Sequence, residues 1–417
     1  MEKELIKKRL GGWLPADESM LEIFRMNLGE HVRSSNLRLQ PEVENLGELI
    51  KNDPILRMNF TKAIEQATKA GHKLGYSTID ELMSLINGVM TMSPSFDTSA
   101  LVGCPLNAIL DWIMCMPAGF AAFRSPALNT QLKRVLQTWS TFLNSEASCT
   151  YLNTEAPKGW FCPEALKTIH MSEFQYDEKM PHWGFKSWND FFTRKFKLNA
   201  RPVAEPDNNK VITSACESTP YAIEQNVKLS DKFWIKSQPY SLKDIFTTSK
   251  ETLAENFAGG TVYQAFLSAY NYHRWHAPVS GTISDVYLVE GTYYSEAESE
   301  GQDPAGPNNS EGYITSVATR MIMVIDCDDR SLGKIACVFV GMAEVSSCIN
   351  VVKAGQHVAK GDEIGYFQFG GSTYCLIFQK NVAFVNHFTF PQAILKSTFD
   401  TENPSVIKLN SELAIIK

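Results

Sequence analysis

Residues 365–375 read GYFQFGGSTYC. An aromatic, apolar run with strand character is interrupted by Gly370 and Gly371, and the hydroxyls of Ser372 and Thr373 follow at once. Glycine weakens a strand, and one kept inside a strand marks a bulge, a bend or a close approach to the backbone. Taken alone, the pair reads as a bulge or tight turn. Outward from it, the chain after residue 205 repeats one grammar: KVITSACESTPYAI, GGTVYQAFLS, GTISDVYLVEGTYY, TRMIMVIDCDD and KIACVFVGMAEVSSCINVV are short β-branched and aromatic runs parted by turn residues. That pattern predicts a mostly β domain. The pieces APVSGTISDVYLVEGTYY and VVKAGQHVAKGDEIGYFQFGG echo each other, with glycine turns between short alternating strands, so the expectation is a compact barrel or sandwich. The acidic insert SEAESEGQDPAGPNNSEG, 295–312, reads as an exposed loop.

The front of the chain reads differently. PEVENLGELIKNDPILRMNFTKAIEQATKAG carries apolar residues three and four apart with Gly71 as a stop, and TIDELMSLINGVM and NTQLKRVLQTWSTFLNS behave alike. Ser187 and Asp190 form an S-x-x-D capping signature for a short aromatic helix. The expected class is α+β: a helical N-terminal region over residues 1–180, then a mostly β domain over 181–417.

With 417 residues, 44% hydrophobic and 20% charged, the composition is that of a globular protein, and the net charge of −7 argues against nucleic-acid or anionic-lipid partners. Nine scattered cysteines and a charged start without a signal-peptide core predict reduced thiols and a cytoplasmic location. The most membrane-like stretch, LNAILDWIMCMPAGFAAF, holds Asp111 and Pro117 and is shorter than the roughly 20 apolar residues of a spanning helix. A buried helix or helix pair is expected there, and no membrane anchor.

Reactive groups concentrate at AYNYHRWHAPVSG, with His273 and His276 three apart, and at the Gly-Gly-Ser-Thr stretch. An H-x-x-H pair supplies two zinc ligands, but a third is not evident, so no metal is expected. The nucleophile-elbow pattern G-x-S-x-G fails at its last position, Tyr374. A lipoyl-type carrier would need a lysine at a hairpin tip, which is not seen.

YHRWHAPVSG followed by FQFGGST, with DFFTRKFKLNARP upstream, resembles the phosphatidylserine decarboxylase family of pyruvoyl enzymes, and the helical front half resembles the extension of a soluble fungal branch acting on tryptophan. The resemblance implies that Ser372 Oγ attacks the Gly371 carbonyl and that the chain is cut between Gly371 and Ser372. It further implies that Ser372 becomes a covalent pyruvoyl group, the cofactor, with a small fragment 372–417 beside 1–371. It assigns His276 as the base of self-cleavage and His273 as the proton donor after decarboxylation. Thr373 or nearby backbone N–H groups are candidate donors to the oxyanion. The implied activity is decarboxylation of an aromatic L-amino acid, tryptophan favoured, through a Schiff base; the alternative substrate is phosphatidylserine. The assembly is left open between monomer and homodimer.

Two positions depart from the family pattern. Where the family carries an orienting aspartate this chain has Cys216, with Glu217 beside it. Strand neighbours point to opposite faces, so either a bulge re-aims Glu217 to orient His276, or the orienter is lost and cleavage runs on a dyad. In VGMAEVSSC, Glu344 stands where membrane-bound relatives have an aliphatic residue, and it either holds a substrate ammonium, indole N–H or ring hydroxyl, or faces solvent.

Overall fold

The computed structural model describes residues 19–35, 37–97, 104–230, 240–297, 310–344, 347–385 and 406–417. The chain forms two compact units: residues 1–172, 176–192 and 291–310 in one, and 173–175, 193–290 and 311–417 in the other.

The first unit is helical. The long periodic run splits into helices Pro41–Asn52 and Pro54–Lys69, because a proline inside a helix lacks the N–H and collides with the preceding turn. Asp53 turns this break into a start: its Oδ1 accepts from the Ile55 and Leu56 N–H groups at 2.8 and 3.0 Å. Helix Ile79–Val89 opens on a complete capping box between Thr78 and Glu81. The apolar stretch around Asp111 is a helix pair, Pro105–Met114 and Pro117–Ala122, and every residue of the first is buried. Helix Pro126–Leu143 buries Leu128, Leu132, Val135, Leu136, Trp139 and Leu143 along one stripe, each worth about 1.5–3 kcal/mol. At Trp188–Phe192 the expected cap forms, Ser187 Oγ accepting from the Asp190 N–H at 3.1 Å. Among the described residues, no helix is long and apolar enough to cross a membrane.

The second unit carries the strands. β1 (Val211–Thr213) pairs with β12 (Glu412–Ile415). β4 (Arg274–His276), β10 (Glu363–Gln368) and β8 (Ser347–Asn350) form a three-stranded sheet in that order. The remaining seven strands are β2 (Thr219–Gln225), β3 (Thr261–Leu267), β5 (Gly281–Val289), β6 (Arg320–Cys327), β7 (Lys334–Gly341), β9 (His357–Val358) and β11 (Ser372–Phe378). They build one antiparallel sheet ordered β2-β3-β11-β7-β6-β5-β9. The α+β expectation holds. The two echoing pieces meet where β5 pairs with β9.

β11 is central and buried along its whole length. Its register sets Ser372 opposite Leu267 on β3 and opposite Gly341 on β7. On the same face, Phe339 lies across from Tyr374 and carries the indole of Trp275 stacked at 4.1 Å. This face belongs to the main core cluster. The exposed-loop reading of 295–312 falls largely outside the described residues; at its described ends Ser295, Glu296, Ser310 and Glu311 are buried, so the exposure fails there, and Glu311 opens helix Glu311–Val317.

Candidate active site

The Gly-Gly pair bends the chain into β11. Gly370 has φ +129°, a region closed to residues with a Cβ, and the strand starts two residues later. Ser372 is fully buried, and its Oγ has no hydrogen-bond partner. A buried orphan hydroxyl is costly and calls for an explanation. The carbonyl just before it is held: the Met342 N–H donates to Gly371 O at 3.1 Å. Met342 follows β7 in a turn where Ala343 takes φ +51°, uncommon for a residue with a side chain. Thr373 points to the opposite face and is engaged there, with Oγ1 2.9 Å from Ala265 O and 3.0 Å from Gln264 Nε2. Of the candidate donors, a backbone N–H, that of Met342, meets the Gly371 carbonyl, whereas Thr373 Oγ1 is engaged elsewhere.

His273 stands just before β4 and His276 closes it. His273 is fully buried, and its carbonyl accepts from the Phe367 N–H at 2.9 Å. Burial first, then the Arg194 guanidinium, push its pKa down to about 3, against backbone hydrogen bonding at Ala269 and Ser268. Arg194 is anchored by a bond to Tyr270 O at 2.9 Å and stacks 4.3 Å over Phe174. His276 has both nitrogens engaged: Nδ1 lies 2.7 Å from Gly361 O and Nε2 3.0 Å from the Tyr272 hydroxyl. A carbonyl only accepts, so Nδ1 carries the proton and Nε2 presents a lone pair to Tyr272. Burial lowers the His276 pKa as well, with the Gly361 bond opposing.

Glu217 is not brought to His276. Its carboxylate takes Arg201 Nε at 2.8 Å and Nη2 at 2.5 Å, and accepts the Leu409 N–H at 2.8 Å. The ring's orienting partner is instead the Gly361 carbonyl. Gly361 has φ +91°, and a Cβ there would sit 2.4 Å from Val203 Cγ2. Cys216 is buried, and burial raises its thiol pKa well above the ordinary value, so a neutral group fills the position of the family aspartate. Glu344 lies in the turn after β7, two residues beyond Met342, and is 1% exposed, which removes the solvent-facing alternative. Sequence reasoning missed Met342, Gly361, Tyr272 and Arg194. Two of these act through backbone atoms, which leave no mark on residue type; Arg194 was legible only as a cation set among aromatic residues.

The chain has counterparts among known proteins. The phosphatidylserine decarboxylase profile matches residues 188–395, and a second profile of that description matches 40–169. The decarboxylase iboD of Amanita muscaria is 37% identical over 75% of this chain and 91% of its own length. An L-tryptophan decarboxylase of Psilocybe cubensis is 31% identical over 92% of each chain. The phosphatidylserine decarboxylase proenzyme 3 of Schizosaccharomyces pombe is 32% identical over 56% of this chain and 22% of its own length. With both halves matched and relatives aligned nearly end to end, the chain belongs to the phosphatidylserine decarboxylase family and is a decarboxylase, a carboxy-lyase.

Proposed function

We propose that this decarboxylase matures by cutting itself between Gly371 and Ser372, and that it acts on an aromatic L-amino acid, tryptophan first, giving tryptamine and carbon dioxide. The observation that carries the reading is the junction itself: a buried serine hydroxyl without a partner, next to a carbonyl already bonded by a backbone N–H. In the first step Ser372 Oγ bonds to the Gly371 carbonyl carbon and His276 Nε2 takes the hydroxyl proton, giving up its bond from Tyr272. Charge gathers on Gly371 O, where the Met342 N–H stabilises it. The C–N bond then breaks, the nitrogen is protonated, and an ester remains. Loss of the Ser372 α-proton expels the Gly371 carboxylate, and water releases ammonia and leaves the pyruvoyl group.

That group supplies a ketone that accepts the electron pair of the breaking bond to the substrate carboxylate. His273, neutral because buried, takes the proton that the substrate ammonium must shed and returns it to the α-carbon once carbon dioxide has left. Glu344 is proposed to accept from the ammonium or the indole N–H. A buried carboxylate suits such a cation and would oppose a lipid phosphate. The substrate choice is supported by likeness to the Psilocybe enzymes over both halves of the chain. A second reading, phosphatidylserine, has the family profiles in its favour.

Intact mass under denaturing conditions tests the first claim: fragments 1–371 and 372–417 are expected, the second bearing a pyruvoyl terminus. An unbroken yet active chain overturns it. Incubation with tryptophan, tyrosine, phenylalanine and short-chain phosphatidylserine tests the second, and turnover of the lipid alone reverses the order.

A further inference from the structure

Behind the junction, on the face of β11 away from Ser372, lies a buried polar cluster that the reaction above does not use. Gln264 on β3 is at its centre. Its Oε1 accepts from the Tyr240 hydroxyl at 2.5 Å, and its Nε2 approaches Thr315 Oγ1 at 3.0 Å, Thr373 Oγ1 at 3.0 Å and Glu311 O at 3.2 Å. Glu311 Oε2 lies 3.0 Å from Thr373 Oγ1. Glu311, Gln264 and Thr373 are each 1% exposed or less.

The proton count in this cluster is informative. Thr373 Oγ1 has one proton and three neighbours: an amide nitrogen that only donates, the Ala265 carbonyl that only accepts, and the Glu311 carboxyl. If the hydroxyl served an ionised Glu311, two oxygens would face each other at the 2.9 Å Ala265 contact with no proton between them. If it serves Ala265, the contact to Glu311 is satisfied only when the carboxyl is the donor. The surroundings agree. Among the described residues no lysine, arginine or histidine pairs with Glu311. The titratable groups facing it are Tyr221 on β2, Cys375 on β11 and, through Gln264, Tyr240, whose own neighbour is Glu224. Burial raises the pKa of Tyr221, Cys375 and Tyr240, which keeps all three neutral.

We propose that Glu311 is a positioning residue: as a neutral acid it donates to Thr373 Oγ1 and so locks the backbone on the C-terminal side of Ser372 in the register that self-cleavage needs. The inference rests on the maturation reading given above. Thr373 shares the strand and the peptide plane next to the reacting serine, so a loosened Thr373 displaces the hydroxyl that must reach Gly371. Burial lifts the Glu311 pKa to about 8, with the Thr373 bond opposing, so ionisation falls within a range where cleavage can be followed.

The test is cell-free translation of the full chain at pH values from 6.5 to 9, with precursor and fragments resolved on denaturing gels. Wild-type cleavage is expected to slow as pH rises through about 8. Glu311→Gln, which keeps a donor but cannot ionise, is expected to cleave without that alkaline fall. Glu311→Leu is expected to cleave about ten-fold more slowly throughout, the effect of one lost buried hydrogen bond. A wild-type-like alkaline fall in Glu311→Gln, or wild-type rates in Glu311→Leu, overturns the proposal. Melting of the uncleavable Ser372→Ala chain reads the same titration without chemistry. Its Tm should fall between pH 5 and 9 by more than that of Ser372→Ala/Glu311→Gln, and equal falls overturn the proposal even if maturation holds. A wild type left uncut at every pH overturns the maturation reading itself.

Discussion

At the scale of single residues, the two histidines are separable. His276→Ala is expected to accumulate uncut precursor, whereas His273→Ala should still cleave but lose at least about 100-fold in amine formation; the reverse pattern, read by gel and by product assay, would exchange their roles. Glu217→Gln should cleave at the wild-type rate and cost about 1–3 kcal/mol in urea denaturation, since its carboxylate binds Arg201 and the Leu409 N–H rather than an imidazole. His273 also sets an acid limit. Its folded pKa lies below the usual 6.5, near 3, so the unfolded chain binds the extra proton between those values. Stability is therefore complete above about 6.5 and declines by roughly 1 kcal/mol per pH unit as pH falls toward 3. His273→Asn should flatten that decline in thermal melts. Ser372 and the histidines could be nominated from the sequence because their chemistry is written in residue type. The orienting partner of His276 could not be, because it is a peptide carbonyl, which side-chain chemistry does not reveal.

At the scale of elements, the Gly-Gly turn is what separates this strand from an ordinary one. Gly370→Ala forces a Cβ into φ +129° and should cost about 1–3 kcal/mol. The strain would shift the Gly371 carbonyl off the Met342 N–H, so uncut precursor should build up on a denaturing gel. Cleavage at the wild-type rate would show that the turn needs only its shape. Alternation of apolar residues made the strands after residue 205 readable, and i, i+3, i+4 spacing made the helices readable. Pro54 cut one expected helix into two at a place the apolar spacing did not mark. Glu344, read as part of a strand, falls in the turn after β7, because Ala343 at positive φ ends the extended chain there. The S-x-x-D cap at Ser187 was recovered because capping is a local matter that sequence neighbours settle between themselves.

At the scale of the whole molecule, the front and back halves follow different periodicities, which is why their classes were readable while the pairing order of the strands was not: order depends on contacts far apart in sequence. Fragments 1–371 and 372–417 should co-elute in native gel filtration and separate only in denaturant; separation without denaturant would contradict the sheet order. The reason is the place of β11, with β3 on one side and β7 on the other. A cut at the head of an inner strand, with loss of the Ser372 nitrogen, would remove at most one ladder donor and leave those of Thr373–Phe378 in place, so the cleaved product would inherit its architecture from a chain that no longer exists. Unfolding such a protein should be a one-way event. The liberated 46-residue piece (417 − 371) would have to find a slot between two partners that, without it, are free to close on each other, and heat or denaturant would retire each molecule for good.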